Sequence, residues 1–261
     1  MPVGLANRGD GCAFAVMAKA PRSGEVKTRL VPPLHAQEAA TLGGCFIRDI
    51  TANFIAAGLQ VPAQGYVAYS PSGSETLFRD LVLPEILLLP PRRAGLGYSL
   101  LHAAEDLLSA GHGGACLVNA DSPTLPTSVL VDAAEALRAP GDRVVLGPAS
   151  DGGYYLIGLK HAHKHLFEDI AWSTERVFRQ TLDRAATLAL EVVTLPTWYD
   201  VDDAASLAWL CHEVFAGCRP AQFGPTGYPA PHTGAYLREL VAAGGAERLG
   251  VDRRMAERPL Q

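Results

Sequence analysis

Residues 115–126, ACLVNADSPTLP, decide how this chain is read. Ala115, Cys116, Leu117 and Val118 carry the apolar bias of a strand buried on both faces. At Asn119-Ala120-Asp121 the run turns polar, and Pro123 and Pro126 stop the strand from continuing. Open α/β sheets bind their ligands in the crevice outside the carboxyl ends of the strands. A carboxylate at that lip is placed to hold a hard divalent cation, which in turn holds phosphates. A plainer reading fits the same residues: an Asx-turn, with the carboxylate capping a helix that starts near Ser128.

Working outward, strand and helix patterns alternate. Upstream, residues 12–18 read as a first strand, 36–57 as a helix ending at Gly58, and 65–69 and 86–89 as strands flanking a helix at 72–81. Residues 96–110 form an amphipathic helical pattern. Downstream come a helix at 128–137, strands at 144–147 and 154–159, and a helix at 174–186 capped by Ser173 or Thr174. A strand at 192–195 and a closing helix at 204–214 follow. This alternation predicts an α/β fold, a mainly parallel twisted sheet with helices on both faces. After Ala216 the chain turns Gly/Pro-rich, so 1–215 reads as one domain. Residues 216–261 read as a C-terminal appendage with one helical stretch at 235–243.

At 261 residues and 48% apolar content the chain can build a full core. A net charge of −5 argues against a nucleic-acid or anionic-membrane footprint. The five cysteines (12, 45, 116, 211 and 218) show no CxxC spacing, and Cys12 and Cys116 lie in apolar strand-like runs. That pattern predicts reduced thiols and a cytoplasmic protein. Cys211, His212 and Cys218 lack a fourth ligand at zinc spacing. No apolar run approaches a membrane span, and nothing before Cys12 resembles a secretory leader.

Against the acidic background one cluster stands out. Lys19, Arg22, Lys27 and Arg29 follow the first strand directly, opposed only by Glu25, in a segment broken by Pro21 and Gly24. A basic, glycine-containing loop there is where an α/β nucleotide site grips phosphate, although its spacing is neither a P-loop nor GxGxxG; a solvated basic turn is the plainer alternative. Gly95-Leu96-Gly97 lacks the third glycine of a dinucleotide fingerprint. Asp151-Gly152 reads either as part of a site or as a hairpin turn. His161, His163 and His165 alternate where a strand yields to a helix and read as surface residues.

Five segments in order, AKAPRSGEVKTRL, ADSPTLP, GPASDGGYYLIGL, LFEDIAWSTERVFRQTL and DVDDAASLAWL, resemble the DUF2064 family of candidate glycosyltransferases. These are the selenodomain-associated transferase type, with the GT-A nucleotide-diphospho-sugar transferase fold. The match runs over residues 12–214, and the phospholactate, phosphoenolpyruvate and molybdenum-cofactor guanylyltransferases are similar at greater distance.

The resemblance implies roles. Asp121 matches a single-aspartate form of the metal-binding DxD motif, with Asn119 at its first position, and Asp202 matches a second metal-binding aspartate. Together they would hold Mg²⁺ or Mn²⁺. Ala18, Lys19, Arg22, Gly24, Lys27, Arg29, Gly97 and Asn119 would contact the nucleotide, with Lys27 also serving catalysis. Asp151 would act as base or acceptor anchor. Gly152, Gly153, Tyr154, Trp172 and Ser173 would face the acceptor. At 94–99 the family carries an acidic residue and an arginine where this chain has Gly95 and Ser99.

Three functions follow as expectations: a metal-dependent glycosyltransferase taking a nucleotide sugar and a small-molecule acceptor, a nucleotidyltransferase taking a nucleoside triphosphate, or a catalytically silent nucleotide-binding module. Triphosphate needs more neutralisation than a diphosphate-sugar, so the basic loop by itself favours nucleotidyl transfer, whereas the family favours glycosyl transfer. A homodimer stays open. If Asp121 and Asp202 lie at neighbouring strand ends and build one metal site, their carboxylates should fall within roughly 8 Å.

Overall fold

The computed structural model describes residues 11–92, 95–252 and 254. Chain order gives β1 (Cys12–Lys19), α1 (Ala36–Gly58), β2 (Ala63–Ser70), α2 (Glu75–Leu81), β3 (Leu87–Leu89), α3 (Leu96–Ser109) and β4 (Gly114–Val118). It continues with α4 (Thr127–Arg138), β5 (Arg143–Pro148), β6 (Tyr154–Leu159), α5 (Val177–Thr187), β7 (Glu191–Thr194), α6 (Ala204–Ala216) and α7 (Pro231–Leu240). One sheet forms in the order β3-β2-β1-β4-β6-β5-β7. Every pairing is parallel except those of β6, which runs antiparallel to both β4 and β5. None of the described helices is long and apolar enough to cross a membrane.

Strand periodicity explains the two cores. In β1, Cys12, Phe14 and Val16 face one side with Leu42, Phe46, Leu130 and Leu210; Ala13 and Ala15 face the other with Leu100, Leu107 and Ile157. A strand buried on both faces is why 12–18 and 115–118 are continuously apolar rather than alternating.

Boundaries differ where side-chain chemistry intervenes. The helix expected at 174–186 begins only at Val177, and neither Ser173 nor Thr174 caps it. Thr174 instead donates its hydroxyl to the Ala171 carbonyl and accepts from the Arg176 amide, closing a turn. Ser173 sits at φ 63, in the left-handed region rather than the extended conformation usual for an N-cap.

The chain beyond Ala216 is held to the rest by specific contacts. The buried Asp49 carboxylate of α1 accepts from the backbone amides of His232 (3.0 Å) and Thr233 (2.7 Å) at the start of α7. Phe223 packs on Tyr199 and Trp198 with ring centroids 5.2 and 5.8 Å away, and the Arg219 guanidinium lies over the Trp198 ring. Burying such an aromatic contributes about 1.5–3 kcal/mol. This brace bears on the residues immediately before Asp200.

Candidate active site

The site lies beyond the carboxyl end of β4. Asn119 accepts the Asp121 amide on Oδ1 at 3.2 Å, so the expected Asx-turn is present. The Asp121 carboxylate does not cap α4, however: that helix starts after Pro126 with no side-chain cap. It meets the ammonium of Lys27 at 2.5 Å instead.

Lys27 is the centre of the arrangement. Its side chain is 8% exposed, and besides Asp121 it reaches Asp202 Oδ1 at 3.5 Å and donates to the Val201 carbonyl at 2.7 Å. The Phe46 ring lies 5.0 Å below it. An ammonium so enclosed must be compensated by opposite charge, and two carboxylates supply it. The phosphate grip expected of Lys27 is thus replaced by a carboxylate grip. The backbone tolerates this at φ 51, a left-handed conformation that a lysine adopts only when its surroundings hold it there.

The contacts to one ammonium bring the Asp121 and Asp202 oxygens within about 6 Å of each other, inside the range for sharing a cation. The route is not the one expected. Asp202 follows β7, the edge strand, which β5 and β6 separate from β4. Its segment returns across the strand ends, fixed by the Ser150 amide on the Trp198 carbonyl (2.9 Å) and the Val201 amide on the Asp121 carbonyl (2.8 Å). Arg29 pairs with Asp202 from outside, its side chain 73% exposed. Burial pushes the Asp202 carboxyl up and the Asp121 charge adds to this, while Lys27 and Arg29 oppose it.

Asp200 escaped the sequence reading. Its Oδ1 accepts from Ser122 Oγ (2.6 Å) and Asn119 Nδ2 (2.7 Å). Burial pushes its carboxyl up to about 7; the Ser122 and Asn119 hydrogen bonds work against that, and the Asp121 charge works with it. The available signal was the spacing: Asp200-Val201-Asp202 on extended chain puts two carboxylates on one face.

A cleft of about 860 Å³ opens beside this cluster, a size suited to a nucleotide-sized ligand. Lys19, Arg29, Asn119, Asp121 and Asp202 form one wall; Asp151, Gly153, Tyr154, Trp172 and Ser173 form the other. Tyr154 and Trp172 meet edge to face at 6.5 Å. Asp151 is exposed at the lip, its Oδ1 accepting the Gly153 amide at 2.8 Å in the β5–β6 turn, so the hairpin reading holds and the residue also lines the cleft. Lys19 makes no ion pair with any described residue.

Five expected contacts fall elsewhere. Gly97 is buried beneath Trp172, where a Cβ would lie 2.7 Å from the indole nitrogen; it makes room for the wall rather than for phosphate. Gly152, at φ 90, packs on the Glu175 backbone, which a Cβ would approach to 2.3 Å. Ala18 is buried in β1, Arg22 turns to Ser74 Oγ (3.3 Å), and Gly24 is exposed at a turn with φ 77. The departure at 94–99 falls partly outside the described residues. Cys211 is buried, Cys218 is exposed, and all five thiols are free.

Oxygen-only donors, two carboxylates sharing one monovalent ammonium and a third carboxyl raised partly by the Asp121 charge have the chemistry to take a hard dication.

Among solved structures, a protein from Desulfovibrio desulfuricans, described as a candidate nucleotide-diphospho-sugar transferase, superposes with TM-score 0.73. It is 26% identical over 90% of this chain and 96% of its own. A cytidylyltransferase from Leptospira borgpetersenii serovar Hardjo-bovis aligns at TM-score 0.49 and 9% identity over 96% of this chain and 98% of its own. A CMP-2-keto-3-deoxy-manno-octonic acid synthetase complexed with CTP aligns at 0.48 and 10% over 75% and 95%. Comparison with curated proteins gives no match. The family model described as "Uncharacterized protein conserved in bacteria (DUF2064)" matches residues 32–174, more than half of the chain. With a doubly covered, mainly parallel sheet and the family's segments gathered at one end of it, the chain belongs to the DUF2064 family.

Proposed function

We propose that the protein is a cytoplasmic, metal-dependent transferase that moves a glycosyl group from a nucleotide-diphosphate sugar to a small-molecule acceptor. The observation that carries this is the charge balance of the basic loop. Lys27 and Arg29 are committed to Asp121 and Asp202, which leaves Lys19 to meet phosphate among the loop's cleft-facing cations. That reverses the argument from the loop's sequence: a triphosphate needs several free cations, whereas a diphosphate needs a metal and little more. The likeness to the Desulfovibrio protein supports the same choice.

Asp121 and Asp202 would hold Mg²⁺ or Mn²⁺, which supplies Lewis-acid stabilisation to a leaving nucleoside diphosphate. Lys27 keeps the two carboxylates ordered and near each other. Lys19 faces the phosphate side, and Arg29 holds Asp202 at its edge. Tyr154 and Trp172 give an apolar wall on the acceptor side, and Asp151, free at the lip, is placed to take the proton of an attacking hydroxyl. Residues 1–215 carry these groups, and the segment from 216 onward braces them.

The test is incubation with a panel of nucleotide sugars and nucleoside triphosphates plus Mg²⁺ or Mn²⁺, with product analysis. Release of nucleoside diphosphate from one nucleotide sugar, abolished by EDTA, supports the reading. Pyrophosphate release from a triphosphate would establish nucleotidyl transfer instead. Ligand-induced thermal stabilisation without turnover would mark a silent binding module.

A further inference from the structure

The opposite end of the sheet carries a second cluster. The β4–β6 pairing sets Val118 against Leu156 and Ala115 against Leu159, so the end of β6 lies at the start of β4, away from Asp121. In the β5–β6 pair, Val144 faces Leu159; continuing that register by two residues sets Asp142 opposite His161. His163 follows two positions later, on the same side of extended chain. Hydrogen-bonding atoms of Asp142, His161 and His163 all lie within 4.8 Å of one another, the one such group among the described residues.

Asp142 offers its two oxygens to two different imidazoles: Oδ2 to His163 Nε2 at 2.7 Å and Oδ1 to His161 Nδ1 at 3.0 Å. The second pair does not align as a hydrogen bond, and that buried Oδ1 has no other partner. The loop bearing Asp142 is fixed in advance: Arg143 donates to the Pro140 carbonyl (2.6 Å), and Lys160 Nζ donates to the Ala139 carbonyl (2.7 Å). His163 is fixed too, its amide bonding the His161 carbonyl at 3.0 Å where the short 3₁₀ turn Lys164–Leu166 begins.

We propose that Asp142, His161 and His163 form a binding site for a borderline transition-metal dication of the zinc class. Two imidazoles and one carboxylate suit Zn²⁺, Co²⁺ or Ni²⁺, whereas Mg²⁺ prefers oxygen alone. Tetrahedral bonds of about 2.0–2.2 Å place ligand atoms about 3.5 Å apart, so the cluster needs adjustments of about an ångström. His161, 68% exposed, has room for them, and the same exposure leaves a fourth position to water. The site differs from the Asp121–Asp202 pair in ligand type, location and metal class.

Two readouts on the full chain test this without reference to activity. Zn²⁺ titration by calorimetry should give one site per chain, with His163→Ala and Asp142→Asn each weakening binding at least about tenfold. Asp121→Asn should bind Zn²⁺ as the wild type does. Under Co²⁺, the imidazole proton resonances of His161 and His163, assigned through their Ala variants, should be the paramagnetically shifted ones. Wild-type Zn²⁺ affinity in His163→Ala, as binding at exposed Cys218 would give, overturns the proposal. So do histidine resonances that ignore Co²⁺, or a dissociation constant weaker than about 1 mM.

Discussion

The two polar clusters of this molecule sit at opposite ends of one sheet and are assembled in opposite ways. Lys27, Asp121 and Asp202 come from the loop after β1, the turn after β4 and a crossing segment beyond β7, up to 175 positions apart in the chain. Asp142, His161 and His163 come from the two ends of a single hairpin. The first cluster encloses an ammonium and sets up mutual charge dependence. The second encloses no such charge: His161 is exposed and Asp142 and His163 are partly so, where ion pairs contribute little to folding. The difference teaches that charge pairs at a strand-end crevice tie distant segments together, whereas a hairpin-end cluster adds ligand atoms without carrying the fold.

Removing the charge at Asp121 strikes the first cluster hardest. Asp121→Asn keeps the Asx-turn, which uses the Asn119 side chain and only the backbone amide of residue 121. Metal-dependent turnover of the donor found in the panel should fall by about two orders of magnitude or more, while the chain stays folded at a cost of about 1 kcal/mol because Asp202 still faces Lys27. Turnover that survives both this change and EDTA rejects the metal-dependent mechanism.

Arg29→Ala tests the outer partner of the same cluster. Its side chain is exposed, so folding should be unaffected, while Asp202 loses its outer partner and the metal-dependent nucleotide dissociation constant should rise about tenfold. Equal affinity in calorimetry would show that the Arg29–Asp202 pair does not serve ligand binding.

Lys27→Ala asks whether the ammonium holds the carboxylates in place of a dication. Its loss leaves two neighbouring carboxylates unneutralised, and stability in EDTA should drop by about 1–3 kcal/mol, discounted for their partial exposure. Millimolar Mg²⁺ or Mn²⁺ should restore part of it. Urea denaturation with and without metal reads both, and a metal-insensitive loss would show that the pair does not accept a dication.

His163→Ala supplies the contrast. In metal-free buffer the unfolding free energy should stay within about 0.5 kcal/mol of the wild type. A loss comparable to that of Lys27→Ala would erase the distinction between the two ends.

Much of this architecture is legible in the chain. The buried strands at 12–18 and 115–118, the turn after Val118 and the alternation of helices and strands are local patterns, and the structure repeats them within a few residues. The helix start at 174 was misplaced because Ser173 and Thr174 form a turn whose geometry depends on Gly152 packing against Glu175 from another segment. Asp200 was passed over because its significance comes from Ser122 and Asn119, whose proximity is tertiary. Gly97 receives a nucleotide contact from the family resemblance alone, because nothing near it in sequence reveals the indole it accommodates.

By itself, then, the sequence determined the α/β class, the covering of the sheet on both faces, and Asp121 at a strand end with basic residues nearby. Periodicity, proline and glycine act over a few residues, so those features are written locally. Only the tertiary structure decided what the charges do. Whether a lysine meets phosphate or carboxylate depends on which groups a folded chain brings within a few ångströms, and Coulomb energy at low exposure rewards the nearest opposite charge. That is why Lys27 lies between Asp121 and Asp202, and why two histidines read as surface residues close around Asp142.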